Sequence, residues 1–545
     1  MEKVLVVVLL VGCLVGDVTA KRSKFDYLHK LNAKSNGGGL DCALCTIAIS
    51  LLDQMTVIHN KTVEELLDKA CNLFPSEFST ICVYFIDTYG AAVIELLEKD
   101  YNADEVCLEL AFCTDPTCHL WPTSGKAVWP NPKWAEESKV RSTPWDWLLA
   151  LLEPLIDHSE PVLDLDKDLF SEEPALRGSS WRGRDCNDLD SSVYPGRKVN
   201  DYWPETDHNC NGIFAMNGND YEKMYCDNTG QMGVVVVGDS AGAHFHIPPE
   251  YLTAALINET TYDDLLFVIS NELDVPQESW STGHERSQNV FVQSLYLSIF
   301  ERNRCNHRDY QNICRNGLRS GSSVDMSKTL ARNKTTDQPV FMIFELIGND
   351  VCSGHQTFSS FTDPKVFKQN ILEVLGNFSE TLPQGSHIIF IGLAHGGVLW
   401  DALHDRLHPL GVTYPAVYDY LNCLQISPCW GWMNSNETVR NITNDWAAKL
   451  SNVYDDIIST VSFPNFDMLY YPFPFEEIMK KWKEEGGEVW QLIEPVDGFH
   501  PSQQAHALIA QYLYNDLLQN HPSFIGPENP NNQNIVNLFG DQNGY

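Results

Sequence analysis

Two regimes of hydrophobic patterning divide the chain. Across residues 41–120, apolar positions recur at i, i+3 and i+4 through 42–55, 63–73, 78–89, 91–97 and 106–110, which predicts short amphipathic helices. From residue 233 the pattern changes. Apolar runs at 234–237, 265–269, 340–347, 388–392 and 489–493 predict strands. They alternate with helical periodicity at 290–302, 364–375, 446–461 and 503–518. Such alternation predicts an α/β sandwich around a mainly parallel sheet. The valine run 234–237 is unbroken, as expected of a strand buried on both faces.

The segments between these regimes are different. Residues 121–184 are rich in Trp and Pro, with one amphipathic stretch at 145–156, and read as a connector open to proteolytic processing. Residues 164–220 are dense in Asp and Asn. Asp164, Asp166 and Asp168 alternate with other residues, as do Asp185, Asn187, Asp188 and Asp190, and then Asp207, Asn209 and Asn211. Oxygen ligands on alternate residues suit a hard cation, so the stretch is expected to bind calcium as a structural ion. The third run starts like an EF-hand loop but has Gly218 where the closing Glu belongs, so it is not an EF-hand. A solvated acidic loop would show the same composition.

At 545 residues the chain is long enough for two to four domains. A 43% hydrophobic share suits packed cores. The net charge of −36 repels phosphate backbones and argues against a nucleic-acid partner. Residues 1–20 carry Lys3, an apolar core and a small-residue end at Val18-Thr19-Ala20, the pattern of a secretory signal. Residues 21–37 then read as a propeptide or linker, or as a flexible mature start. Cys13 leaves with the signal, so 15 of the 16 cysteines remain, in a compartment where disulfides form. The odd count leaves one free thiol or an intermolecular bond. Asn60, Asn258, Asn333, Asn377, Asn436 and Asn441 are glycosylation acceptors by motif.

Six cysteines, Cys42, Cys45, Cys71, Cys82, Cys107 and Cys113, fall in the helical region. Sequence alone allows 15 pairings for such a set. The helical six-cysteine pattern resembles the saposin B-type domain, assigned to 38–120. The resemblance implies the nested pairs Cys42–Cys113, Cys45–Cys107 and Cys71–Cys82, and a lipid-binding leaf. Cys118 falls outside the six. It is open to local pairing or to tethering this module to the rest, with Cys423 or Cys429 among the partners.

Chemistry concentrates where the valine run ends, at Gly238-Asp239-Ser240-Ala241-Gly242. A Ser on a tight turn after a strand presents its hydroxyl, which is where a nucleophile is useful. An α/β-hydrolase elbow would need several strands upstream. Here the Ser follows the first strand, so the motif resembles that of the GDSL, or SGNH, hydrolases. Two further blocks agree. Asp497-Gly498-Phe499-His500-Pro501 places a carboxylate three residues before a histidine, and Gly348-Asn349-Asp350 ends an apolar strand. The resemblance implies a three-layer α/β domain over 231–545. It also implies Ser240 as nucleophile, His500 as base and Asp497 as its orienter. The oxyanion would be held by the Ser240 N–H, the Asn349 amide and Gly321, with Gly317 as the rival glycine. His244 and His246 lie near Ser240 but are second-choice bases, and His395 follows a strand at a mouth-like position.

A saposin leaf, an acidic insert over 161–230 and a GDSL domain on one secreted chain resemble the acyloxyacyl hydrolase family. This implies a secreted and lysosomal esterase that removes secondary fatty acyl chains from the lipid A of bacterial lipopolysaccharide. It also implies a precursor cut within the 121–160 connector into disulfide-linked small and large subunits. A broader phospholipase or lysophospholipase, and a non-catalytic lipid-binding protein, are the alternatives. Lipid A carries phosphates, so against a charge of −36 the first reading requires a local basic cluster that the sequence does not locate.

Overall fold

The computed structural model describes residues 39–545 except 74, 127, 133, 135–158, 200–204 and 287–289, and not the side chains of 68, 76–78, 80 and 81. The signal, the propeptide or linker, and the amphipathic stretch at 145–156 therefore lie outside the described residues.

Four helices build the first module: α1 (Gly39–His59), α2 (Val63–Ala70), α3 (Ser76–Glu98) and α4 (Ala103–Glu109). Thr62 with Glu65, and Asn102 with Glu105, form capping boxes that start α2 and α4 by satisfying orphan N–H groups at both ends of the first turn. The runs at 78–89 and 91–97 merge into the single helix α3, because Gly90 is tolerated within it. Disulfides join Cys42–Cys113, Cys45–Cys107 and Cys71–Cys82.

The second module holds a five-stranded, all-parallel sheet: β1 (Gly233–Val237), β2 (Tyr310–Asn312), β3 (Val340–Glu345), β4 (Ser386–Ile391) and β5 (Phe466–Tyr471). The order is β2-β1-β3-β4-β5. The chain leaves β1 for β2 on one side, then crosses to β3 on the other. That reversal makes the C-terminal end of β1 a topological switch point, where open α/β sheets place their sites. Helices Leu295–Arg302 and Gln503–Asn520 pack together, as do Ser320–Met326, Pro364–Thr381 and Glu437–Thr460, and β1 and β3 are wholly buried within the layers.

Two expected strands are not strands. Residues 265–269 lie in the helix Leu265–Ser270, whose Leu265 and Ile269 are buried while Leu266 and Phe267 face solvent. An i, i+4 face in so short a run looks continuous in sequence. Residues 489–493 form a 3-10 turn, Val489–Leu492. Conversely, β2 and β5 went unpredicted. β2 is three residues long and polar, and β5 has mostly half-exposed positions.

The two modules share a buried cluster. Tyr420 donates to Thr46 Oγ1 at 3.0 Å, Gln54 Nε2 donates to the Leu410 carbonyl at 3.1 Å, and Cys118 is bonded to Cys423, not Cys429. The remaining pairs are Cys186–Cys210, Cys226–Cys305 and Cys352–Cys429, and the odd thiol is the buried Cys314.

Candidate active site

Ser240 opens the short helix Ser240–Ala243 directly after β1. Asp239 is its N-cap and accepts the Ala241 N–H at 3.0 Å. Asp497 and His500 lie on the loop before helix Gln503–Asn520. His500 Nε2 is 2.7 Å from Ser240 Oγ, and His500 Nδ1 is 2.5 Å from Asp497 Oδ2. Asp497 Oδ1 also accepts the Phe499 and His500 N–H groups, so the carboxylate is locked by its own loop. Nucleophile, imidazole and carboxylate thus stand in the relay order of a serine hydrolase. All three are 7% exposed.

Asn349 follows β3 and lines the same cavity as Ser240 and His500. Its Nδ2 donates to Asp239 Oδ2 at 3.1 Å, which fixes the amide plane and leaves its second N–H to point elsewhere. That carboxylate oxygen also accepts the Ile347 N–H at 2.9 Å. Asp239 therefore ties the nucleophile turn to the Gly348-Asn349 turn, a role the sequence reading missed. Glu345, also missed, accepts the Asp239 N–H at 2.8 Å from the last position of β3. The available signal was one charge within an otherwise apolar strand.

Gly321 is a correction. It is exposed, in the first turn of helix Ser320–Met326 facing Asn370, and is not among the residues lining the Ser240 cavity; nor is Gly317. This block instead braces Asp350: Ser320 donates to it through both its N–H and its hydroxyl. His244 and His246 are engaged by other partners. His244 stacks on His506 at 3.7 Å, and His246 Nδ1 meets Glu494 Oε2 at 3.0 Å. His395 stands half-exposed on the cavity wall, 3.2 Å from Glu476 Oε1.

The cavity holds about 320 Å³ and is walled by Leu393, Leu399, Trp432, Phe473, Phe475 and Met479. Its wall is mainly apolar and reaches Ser240. A second cavity of about 690 Å³ lies between α1, α2 and residues 257–262, with Leu51, Leu52, Met55, Leu66 and Tyr262 on its wall and His59, Lys61 and Lys69 also lining it.

The acidic segment divides in two. Asp164, Asp166 and Asp188 bring carboxylate oxygens within 4.8 Å of one another, and so do Asp166, Asp168 and Asp185. Both Asp166 oxygens, Asp168 Oδ2 and Asp185 Oδ2 are buried without hydrogen-bond partners. Burial pushes the Asp168 carboxyl up to about 8 and Asp185 to about 7. The expected ligands Asn187 and Asp190 are exposed, and Asp190 instead accepts from Ser192. The third run does not join the cluster. Asp207 accepts the Asn211 and Gly212 N–H groups, while Asn209 and Asn211 donate to the buried Glu222. Among the glycosylation motifs Asn60, Asn258, Asn333, Asn436 and Asn441 are exposed. Asn377 is half-buried, and its Nδ2 donates to Val324 O and Ser327 Oγ.

Fold and site define a GDSL-like lipase/acylhydrolase carrying a saposin-like domain, and comparison agrees: those families match residues 234–513 and 41–143. The acyloxyacyl hydrolases of Homo sapiens and Oryctolagus cuniculus are 41% and 40% identical to the chain, covering 94% and 92% of it and 94% and 93% of themselves. That of Mus musculus is 38% identical over 93% of this chain and 94% of its own. The chain belongs to the acyloxyacyl hydrolase family and is a carboxylic ester hydrolase.

Proposed function

We propose that this protein removes secondary, ester-linked fatty acyl chains from the lipid A of bacterial lipopolysaccharide, in secreted and lysosomal pools. The observation that carries the reading is the Ser240–His500–Asp497 relay opening on an apolar cavity, in a chain whose saposin-like leaf is disulfide-bonded to the catalytic module. Acyl esters of a membrane amphiphile lie among its tails, out of reach of a recessed serine. The cavity between α1, α2 and residues 257–262 is large enough for tails, and Lys61 and Lys69, against the single carboxylate of Glu259, offer the positive charge that lipid phosphates need.

In the reaction, His500 Nε2 takes the proton from Ser240 Oγ as the oxygen attacks the acyl carbonyl. Asp497 holds the Nδ1 proton and so the tautomer. The second N–H of the Asn349 amide and the Ser240 backbone N–H, free of an intrahelical partner by its place in the first turn, receive the oxyanion. His500 then gives its proton to the leaving alkoxide of the hydroxyacyl chain, and water repeats the sequence to free Ser240.

Calcium fits the orphaned oxygens of Asp166, Asp168 and Asp185, with Asp164 and Asp188 beside them. The ion would neutralise this buried charge and pin the loops, away from the reacting groups. A cut within the connector would leave small and large subunits joined by Cys118–Cys423.

The test is fatty-acid release by purified protein from lipopolysaccharide and from phospholipid micelles, with Ser240→Ala beside it. Selective release from lipopolysaccharide, abolished in the variant, is expected. Equal turnover of both lipids would mean a broad phospholipase, and unchanged hydrolysis by Ser240→Ala would remove the catalytic assignment.

A further inference from the structure

The histidines that follow the nucleophile are not used by the relay, yet they are held in a defined nest. His244 is 1% exposed, and neither ring nitrogen makes a hydrogen bond of ordinary geometry. His246, two residues on, has its ring 6.0 Å from that of His244 and pairs with Glu494, whose side chain is 3% exposed. One nitrogen of each histidine and one oxygen of Glu494 lie within 4.8 Å of one another. Bonds of about 2.0–2.1 Å around a tetrahedral ion set ligand atoms about 3.3 Å apart, between the 3.0 Å of the His246–Glu494 pair and the 4.8 Å that bounds the cluster. Glu278 lies in the electrostatic range of His246, with its own carboxyl pushed up by burial.

We infer that His244, His246 and Glu494 form a site for a divalent transition metal of the zinc class, separate from the all-oxygen acidic cluster. Two imidazoles and one carboxylate are the donor set such ions prefer, whereas calcium prefers oxygen alone. The site has a structural address. His244 and His246 lie on the segment leaving the nucleophile helix. Glu494 lies on the loop that carries Asp497 and His500, and its N–H donates to the His500 carbonyl at 2.8 Å. Phe245, between the two histidines, packs on the His500 ring at 4.7 Å. A metal here clasps the loops that bring nucleophile and base together.

The experiment uses the full chain, stripped with chelator and returned to millimolar calcium to occupy the oxygen sites. Zinc uptake is measured by equilibrium dialysis with elemental analysis, and cobalt uptake by visible absorption. Wild type is expected to take up one tight equivalent at micromolar free zinc and to show the intense cobalt bands of a low-coordinate site. His246→Ala, at a side chain one-third exposed, should weaken uptake more than about tenfold, since loss of outer partners alone costs about 10–100-fold. His246→Gln keeps a hydrogen-bonding side chain and separates metal loss from a folding defect, which circular dichroism reads independently. Absence of micromolar uptake in wild type, or undiminished uptake in folded His246→Ala or His246→Gln, overturns the site.

Discussion

At the scale of single residues, the catalytic turn is set by what surrounds Ser240 as much as by Ser240 itself. Asn349 is aimed by Asp239, so its amide is fixed before substrate arrives. Asn349→Ala is expected to lower kcat by about 10²–10³ with little change in KM, because the lost donor acts on charge that develops only in the transition state. Steady-state hydrolysis of a soluble ester measures both constants, and a rise in KM alone would reassign Asn349 to ground-state binding. The glycines have an equally specific cause. A Cβ at Gly238 or at Gly242 would collide with Glu345 Oε1, and one at Gly242 would also come within 2.6 Å of Cys314 Sγ. Gly238→Ala should therefore destabilise by about 1–3 kcal/mol, the usual cost of overpacking. Glu345→Ala in the same chain should return part of that loss. Denaturant melts of the four-member cycle give the coupling, expected at about 0.5–3 kcal/mol for residues in contact. A coupling of zero would mean that Gly238 is required for another reason.

At the scale of elements, sequence signals were strong where chemistry and burial coincide. The valine run announced a buried strand by its own pattern, and the Asp-x-x-His-Pro block and the six cysteines announced theirs through family resemblance. Signals failed where tertiary packing decides. Tyr310–Asn312 is a strand because β1 pairs with it, and nothing in three polar-rich residues says so. Leu265–Ser270 is helical, and its buried residues Leu265 and Ile269 lie one turn apart on one face. Gly321 matched a degenerate block, but the helix begun at Ser320 carries it away from the cavity. The Cys118–Cys423 bond, 305 residues apart, was one option among several. In a chain-entropy account a loop that long is worth about 5–6 kcal/mol when closed. It is also the one disulfide described that crosses residues 121–160. A chain cut there by limited proteolysis should run as one species on non-reducing electrophoresis and as two after reduction. Separation without reductant would mean that the modules are held by packing alone.

At the scale of the whole molecule, buried ionisable groups of two kinds oppose each other, and their windows predict the pH profile. His284 and His408 are pushed down to about 4, and His506 to about 3, by burial. Unfolded, each takes a proton near pH 6.5, so stability is lost as pH falls below that value. The carboxylates act the other way. Burial lifts Asp104 to about 6 and Glu222 to about 8, above unfolded values near 4. The folded chain therefore binds those protons more tightly, and their contribution is full in acid and lost as pH rises through the folded values. From about pH 7.5 these three histidines are neutral in both states, and the carboxylate side of this balance still titrates. The melting temperature is thus expected to fall from about pH 7.5 to about pH 8.5, measured in millimolar calcium so that the proposed ion would hold the acidic cluster ionised. Scanning calorimetry at three pH values in that window checks the sign. A melting temperature that climbs with pH would show that Glu222 is already ionised in the folded chain, held so by the amides of Asn209, Asn211 and Gln231 that donate to it.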